Sequence, residues 1–238
     1  MSQSSSPSIN QLLAALPSSE FQQLEPYLEP IFLEAGQVLC EPKEPMNVAY
    51  FPGRAAISLV SLLEDGSTTE IGLIGNEGMV GLPIFLGGKS FPNRAIVQIR
   101  GSALKLDGEI LKREFHRGGK LQQRLLLYTQ ALLTQVSQSA ACNRQHTTEE
   151  RLARWLLSVR DCVLSDELPL TQEFIANMLG IRRSGVTVAA GILQQAGTIE
   201  YRRGQITIRD REDLESISCE CYRLVQSEFL RLLGSRRG

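Results

Sequence analysis

Hydrophobic positions recur at two different periods along this chain, and the change of period divides it. From Ile31 to about Leu106, apolar residues alternate with polar ones in short runs, the period of a strand. The predicted strands are Val38–Cys40, Val48–Phe51, Ala56–Leu62, Thr68–Ile74, Ala95–Arg100 and Ala103–Leu106. Glu64-Asp65-Gly66 predicts a hairpin turn, and Gly36, Gly53, Gly75, Gly78, Gly81, Gly87 and Gly88 punctuate the rest. Many short strands with glycine turns predict a barrel or roll. Ahead of them, Ile9–Leu16 and Ser18–Leu28 read as short helices, and MSQSSSPS as a disordered tail. The closing GSRRG reads as frayed.

Beyond Leu106 the period becomes helical. Asp107–Phe115 predicts a short helix and about Lys120–Asn143 a long one. In the long helix Leu121, Leu125, Tyr128, Leu132, Gln135, Ser139 and Cys142 follow a 4-3 spacing. That is a coiled-coil seam, and it predicts a symmetric parallel dimer, with Leu126, Leu133 and Val136 turned to the barrel. The alternative is that the stripe covers the chain's own barrel. Thr147-Thr148-Glu149-Glu150 fits a capping box that opens a helix carrying Leu152, Ala153, Trp155, Leu156 and Leu157. Leu164–Leu170 leads onward. Near the end, Asp210 caps a last helix with Leu214, Ile217, Cys221, Leu224 and Leu232 as its buried stripe.

The segment from Thr171 to Ile208 is the most informative. Thr171 caps a helix starting at Gln172, whose Ile175, Ala176 and Leu179 share one face. Gly180 suits a left-handed helix end, and Ile181 plugs the corner. A second helix runs from about Arg183 to Gln195 with Val186, Ala189, Ala190 and Leu193 inward. Two helices crossing at so short a turn need a small residue, a glycine and an aliphatic wedge, which Ala176, Gly180 and Val186 supply. A hairpin follows, Thr198–Arg202 and Gln205–Ile208, with Arg203-Gly204 at its tip. This is a winged helix-turn-helix, which places its second helix in a DNA major groove.

Its outward residues are Arg182, Arg183, Ser184, Thr187 and Val188. An Arg at such a helix start can pair with guanine O6 and N7, while Thr187 and Val188 offer methyl groups to thymine. Arg202 and Arg203 are placed for phosphate, and Thr171 and Gln172 complete the set. Gly185 inside the first turn costs about 1 kcal/mol relative to Ala. Either Ser184 caps and the helix starts late, or the DNA backbone comes close at Gly185.

Composition adds local detail. The 238 residues carry a formal net charge of −1, yet Thr171–Arg209 holds five Arg against two Glu. One basic patch, not the whole surface, would meet DNA. Without a signal peptide or an apolar run near ~20 residues, no membrane role and a cytoplasmic location are expected. The five cysteines, Cys40, Cys142, Cys162, Cys219 and Cys221, are odd in number and scattered, so they read as buried thiols. Cys219 and Cys221, placed on one helix, would stand roughly 200° apart, unsuited to one metal. His116 and His146 fall near the ends of the long helix and are given no metal or haem role. No Ser-His-Asp set, P-loop, HExxH or paired CxxC occurs, so no enzyme is expected.

A glycine-punctuated roll, a long helix, Glu150-Arg151-Leu152-Ala153 and a winged helix-turn-helix stand in series. This order, and LTQEFIANMLGIRRSGV above all, resembles the CRP/FNR family of bacterial transcription regulators, from about Phe21 to Ile208. The resemblance implies an α+β chain: a cyclic-nucleotide-binding-like β-roll of jelly-roll type (1–117), a dimerisation helix (118–146) and a winged helix-turn-helix (147–238). It implies a homodimer on double-stranded DNA, with RNA polymerase as a further partner and a small-molecule effector. By the family pattern Arg183 reads a guanine, and Val188 stands where cyclic-AMP-responsive members carry a second Arg. Those members hold cyclic AMP with Gly-Glu, an aliphatic stretch, then Arg-Ser or Arg-Thr. Here Leu82 follows Gly81, and Ala95 follows Arg94, so an effector other than cyclic AMP is expected at Gly81, Leu82, Arg94 and Ala95. Cys40 alone cannot hold the family's iron–sulfur cluster, and no His precedes His116 for haem, so no cofactor is expected. Phe51, Leu73, Met79 and Phe85 are candidates to line an apolar pocket. The competing reading is a ligand- or protein-binding module whose winged helix makes protein contacts.

Overall fold

The computed structural model describes residues 10–234; both predicted terminal tails fall wholly or mainly outside that range. Two short helices come first, α1 (Gln11–Ala14) and α2 (Ser18–Leu24), followed by a single 3-10 turn at Glu25–Tyr27. Strands β1 (Glu29–Leu33), β2 (Val38–Cys40), β3 (Val48–Pro52), β4 (Ala56–Leu62) and β5 (Thr68–Ile74) then alternate with turns. A one-and-a-half-turn helix, α3 (Leu82–Leu86), precedes β6 (Arg94–Ile99) and β7 (Gly101–Asp107). The strands form two antiparallel sheets, ordered β1-β7-β3 and β2-β6-β4-β5. One apolar core lies between them, with Leu33, Phe51 and Leu106 from the first sheet and Ile57, Ile74 and Val97 from the second. The predicted β4 and β5 match the structure, and Gly66 at φ 82° makes the hairpin turn between them. Strand β1 and helix α3 escaped the sequence pattern because Glu29-Pro30 and Pro83 interrupt it.

Helix α4 (Gly108–His116) is capped by the Asp107 carboxylate, which accepts from the N–H groups of Glu109 and Ile110. His116 therefore closes α4 and does not begin the long helix. That helix, α5 (Gly119–Gln145), lies along the roll. The 4-3 stripe predicted to pair two copies is buried within the chain itself: Leu121, Leu125, Tyr128, Leu132 and Gln135 face the roll, as the alternative held, and Cys142 faces the start of the last helix. Tyr128 donates its hydroxyl proton to the Met79 carbonyl at 3.0 Å, and Gln135 donates to the Leu73 carbonyl at 3.2 Å. Leu126 and Leu133, assigned to the barrel from sequence, are instead 47% and 63% exposed. Val136 packs at the edge of the roll core. The 4-3 stripe thus faces inward, Leu126 and Leu133 face outward, and Val136 alone of the three keeps its expected place on the roll.

Helix α6 (Thr148–Val163) opens with the predicted capping box: Thr147 Oγ1 accepts from Glu150 N–H, and the Glu150 carboxylate from Thr147 N–H. A short β8 (Glu167–Leu168) follows, then α7 (Gln172–Leu179), α8 (Arg183–Gln195), β9 (Ile199–Arg202) and β10 (Gln205–Ile208). The wing sheet has the order β8-β10-β9. The predicted last helix is two, α9 (Arg211–Ile217) and α10 (Cys221–Leu233). Of the predicted stripe, Leu214 and Cys221 are buried and Ile217 and Leu232 pack against the cores, whereas Leu224 is exposed, because the break at Ser218–Glu220 resets the helical phase and puts Tyr222, Val225, Phe229 and Leu233 inward. The break also takes Cys219 off the helix of Cys221, so the 200° separation does not hold.

Helix α10 runs back antiparallel along α5, from Cys221 near Cys142 to Leu233, whose carbonyl accepts from Arg124 near the other end. The second apolar core joins α6, α7, α8 and the wing, and it reaches Ala56, Val60, Leu73 and Ile99 of the roll. The helix-turn-helix is thus packed on the sheet that carries β4 and β5. Among the described residues no helix is long and apolar enough to cross a membrane.

Candidate nucleic-acid interface

Helix α7 starts at Thr171, whose hydroxyl accepts from the Phe174 N–H at 3.2 Å, and stops at Gly180 at φ 62°. A Cβ on Gly180 would also stand 2.6 Å from Thr69 Oγ1, so the turn seats tightly on β5. Arg151 from α6 reaches the Leu179 carbonyl and satisfies the end of α7. Inside the crossing, Ala176, Val186, Ala189, Ala190 and Leu193 are buried. Their burial fixes which side of α8 is left outside.

That outside face carries Arg182, Arg183, Ser184, Thr187 and Val188, all exposed. Val188 is 60% exposed, an apolar cost that a thymine methyl would remove. Helix α8 begins at Arg183 with Arg182 as its N-cap, and no side chain caps it. Ser184 therefore does not cap. The first-turn N–H groups of Arg183 and Ser184 remain available to an anion, where the helix dipole favours negative charge. A Cβ on Gly185 would meet only Ile181 Cδ1, at 3.7 Å, an ordinary contact. Internal packing does not demand that glycine.

Gln172 ties the two helices together. Its Oε1 accepts from Thr187 Oγ1 at 3.1 Å and from Arg183 Nε at 3.4 Å. Two candidate contacts are thus held by a third. In the wing, Arg203 at φ 49° and Gly204 at φ 79° form a two-residue turn whose twist matches the hairpin. A notch lies between the start of α8 and this tip, lined by Thr171, Gln172, Arg183, Tyr201, Arg203 and Gly204. Tyr201, in β9, is not among the contact residues expected from sequence. It is half-buried, its hydroxyl donates to the Leu170 carbonyl at 3.2 Å, and its ring helps to wall the notch.

The basic residues of the wing are not equivalent. Arg202 pairs with Glu200, and so does Arg209. The hydrogen bond from Arg209, then the charge of Arg202, holds the Glu200 carboxyl below the usual carboxylate range. Arg203 enters no ion pair among the described residues and is one of the residues lining the notch.

In the roll, Gly81, Leu82 and Ala95 line a small cavity with Cys40, Met46, Leu59, Met79, Phe91, Asn93 and Leu132. Three of the four residues expected at an effector site are therefore brought together. Arg94 is not among the lining residues and pairs with Glu41 at 2.9 Å. Of the predicted apolar lining only Met79 is present. Phe51 belongs to the roll core, Leu73 faces the second core, and Phe85 stacks on Phe115 at 4.7 Å.

Two family models match the chain in series: a cyclic nucleotide-binding domain over residues 30–117 and a Crp-like helix-turn-helix domain over residues 150–217. No curated protein matches it in sequence. Among solved structures it is similar to FixK2 from Bradyrhizobium japonicum, with 20% identity, 81% of this chain and 98% of that one covered, and a TM-score of 0.69. A CRP/FNR-family transcriptional regulator from Thermus thermophilus shares 21% identity over 80% of this chain and 98% of its own, with a TM-score of 0.66. The c-di-GMP-responsive global regulator CLP of Xanthomonas campestris shares 13% over 81% and 99%, also at 0.66. At these identities the likeness is one of fold. With the two domains matched in the order the fold displays, the chain belongs to the CRP/FNR family of transcriptional regulators and carries its helix-turn-helix DNA-binding domain.

Proposed function

We propose that this chain is a homodimeric, sequence-reading DNA-binding regulator in which Arg183 contacts a base and Arg203 a phosphate. The observation that carries the reading is the exposed face of α8. Arg182, Arg183, Ser184, Thr187 and Val188 stand on it, beside a notch that collects Arg203. Thr171 and Gln172 brace that face, and Arg202, paired with Glu200, contributes less than Arg203.

The dimer is assigned to the exposed face of α5. Leu126, Gln130, Leu133, Ser137, Ala140 and Arg144 are all exposed and keep the 4-3 spacing that a pair of helices needs. Two leucines this exposed on one long helix favour a covered face. A two-fold dimer would set the two copies of α8 for half-sites about 34 Å apart.

The effector is proposed not to be a cyclic nucleotide. The cavity of ≈ 20 Å³ has room for about one water, and its lining offers no cation for a phosphate. Arg94 is committed to Glu41. Any guest that did enter would touch Leu132 of α5, and so the helix that would set the two reading heads. Selection from a random duplex library, with and without cyclic AMP, tests the reading. A palindromic motif enriched equally in both conditions is expected. Enrichment only with cyclic AMP would reverse the effector assignment, and no enrichment in either would remove the DNA reading.

A further inference from the structure

Four side chains with metal-binding chemistry meet outside α8 and the wing, where α5 ends and α10 begins. They are Cys142 in the last turn of α5, His146 at its C-cap, Cys219 in the break before α10, and Cys221 at the first position of α10. The three Sγ atoms and an imidazole nitrogen all lie within 4.8 Å of one another. Cys142 Sγ stands 3.5 Å from Cys219 Sγ, and Cys221 Sγ 3.5 Å from His146 Nδ1. All three cysteines are buried, and they form a small cluster apart from the two cores.

These spacings match one metal polyhedron. With Zn–S near 2.3 Å and Zn–N near 2.0 Å, a tetrahedron has S···S edges of about 3.8 Å and S···N edges of about 3.5 Å. The surroundings fit as well. His146 Nε2 lies 3.1 Å from the Glu220 carboxylate, which fixes the ring and leaves Nδ1 facing the sulfurs. Gln138 Nε2 donates to Cys221 Sγ at 3.1 Å, a contact that suits a thiolate. Thiolate and imidazole donors exclude the hard oxygen-seeking cations and favour zinc.

We propose that Cys142, His146, Cys219 and Cys221 form a closed tetrahedral site for one Zn²⁺. Four protein ligands leave no open position, so the ion is structural. Binding takes the three thiols to thiolates, releases three protons to solvent and uses the neutral imidazole, with no change of oxidation state. Cys142 and Cys219 are 77 positions apart, and the loop between them holds the whole winged helix-turn-helix. The ion would tie both ends of the DNA-reading domain to the end of α5. This site stands on its own geometry and is independent of the DNA assignment.

The test uses the full chain, purified under reducing conditions, with its metal content measured and Co²⁺ then titrated into chelator-stripped protein. One zinc per chain is expected, together with the intense visible bands and thiolate charge-transfer absorption of tetrahedral Co²⁺. Both should saturate at one equivalent and be displaced by Zn²⁺. Cys221→Ser and His146→Ala should each weaken Co²⁺ binding at least tenfold, while Cys40→Ser leaves it unchanged. A folded wild-type chain with no retained zinc and no such bands overturns the site. So do bands that persist unaltered in both folded variants, or a Cys142–Cys219 disulfide that forms with zinc present. If Cys221→Ser or His146→Ala fails to fold, the wild-type spectrum still decides.

Discussion

Trp155 Nε1 donates a hydrogen bond to Glu70 Oε1 at 2.9 Å, across 85 positions of sequence, and joins α6 of the DNA-binding domain to β5 of the roll. The other oxygen of Glu70 accepts from Ser58 Oγ at 2.7 Å, so β4 is held in the same link. Close packing reinforces it: a Cβ on Gly75 would lie 2.7 Å from Cys162 of α6. Replacing Trp155 by Phe keeps most of the apolar contact and removes the donor. A hydrogen bond to a charged group contributes roughly 1.5–3 kcal/mol, so Trp155→Phe should destabilise by about that much in urea unfolding. A change below about 0.5 kcal/mol would show that the link is incidental.

Asp161 of α6 is 0% exposed and accepts from the Tyr222 hydroxyl and Gln226 Nε2 of α10 at 2.6 Å each. Burial, then the Asp161 charge, pushes the Tyr222 hydroxyl well above its ordinary pKa, so it stays a donor. Tyr222→Phe removes one of those donors and should cost roughly 1.5–3 kcal/mol. Thermal unfolding reads this directly. An unchanged midpoint would mean that Gln226 and the Arg160 and Arg211 guanidiniums, the latter two 3.6 and 3.7 Å away, hold the carboxylate without the Tyr222 hydroxyl.

The two faces of α5 should respond in opposite ways to substitution. Leu126→Glu with Leu133→Glu changes the exposed face, and a folded monomer is expected by sedimentation. Leu125 is fully buried in the roll core, so Leu125→Ala should instead cost about 2–5 kcal/mol and leave the assembly state alone. A double glutamate variant that stays dimeric would place the dimer contact elsewhere.

Gly185 separates stability from binding. With 3.7 Å to the nearest side-chain atom, Ala fits, and a helix interior gains about 0.5–1 kcal/mol from the change. Gly185→Ala should therefore raise stability while lowering DNA affinity several-fold, as the added methyl meets the DNA backbone. A gain in stability with unchanged affinity would leave the glycine without a DNA role.

What the sequence disclosed follows from how local each signal is. Strands β4 and β5, the capping box at Thr147 and the motif from Thr171 to Ile208 were legible because alternation, caps and turn residues act over a few positions. The face of α5 was not, because Leu121, Leu125, Tyr128 and Leu132 have the same 4-3 spacing whether they cover a roll or a second helix. Only burial separates the two. The break between Ile217 and Cys221 carries neither glycine nor proline, so the helical phase of Leu224 and the separation of Cys219 from Cys221 were misread together. Gly81, Leu82 and Ala95 line one cavity, but the direction of Arg94 depends on Glu41, 53 positions away. Tyr201 lacked any polar pattern that would mark it as part of the notch.

The most direct measurement compares Arg183→Ala and Arg203→Ala on a selected duplex and on a scrambled one, over a range of salt. A lost guanine contact costs about 1–3 kcal/mol, so Arg183→Ala should lower affinity for the selected duplex by roughly 5- to 150-fold, and far less for the scrambled one. Arg203→Ala should weaken both alike and reduce the salt slope by about 1. Equal loss on both duplexes from Arg183→Ala, or none, would contradict the assignment of α8 as the helix that reads the sequence.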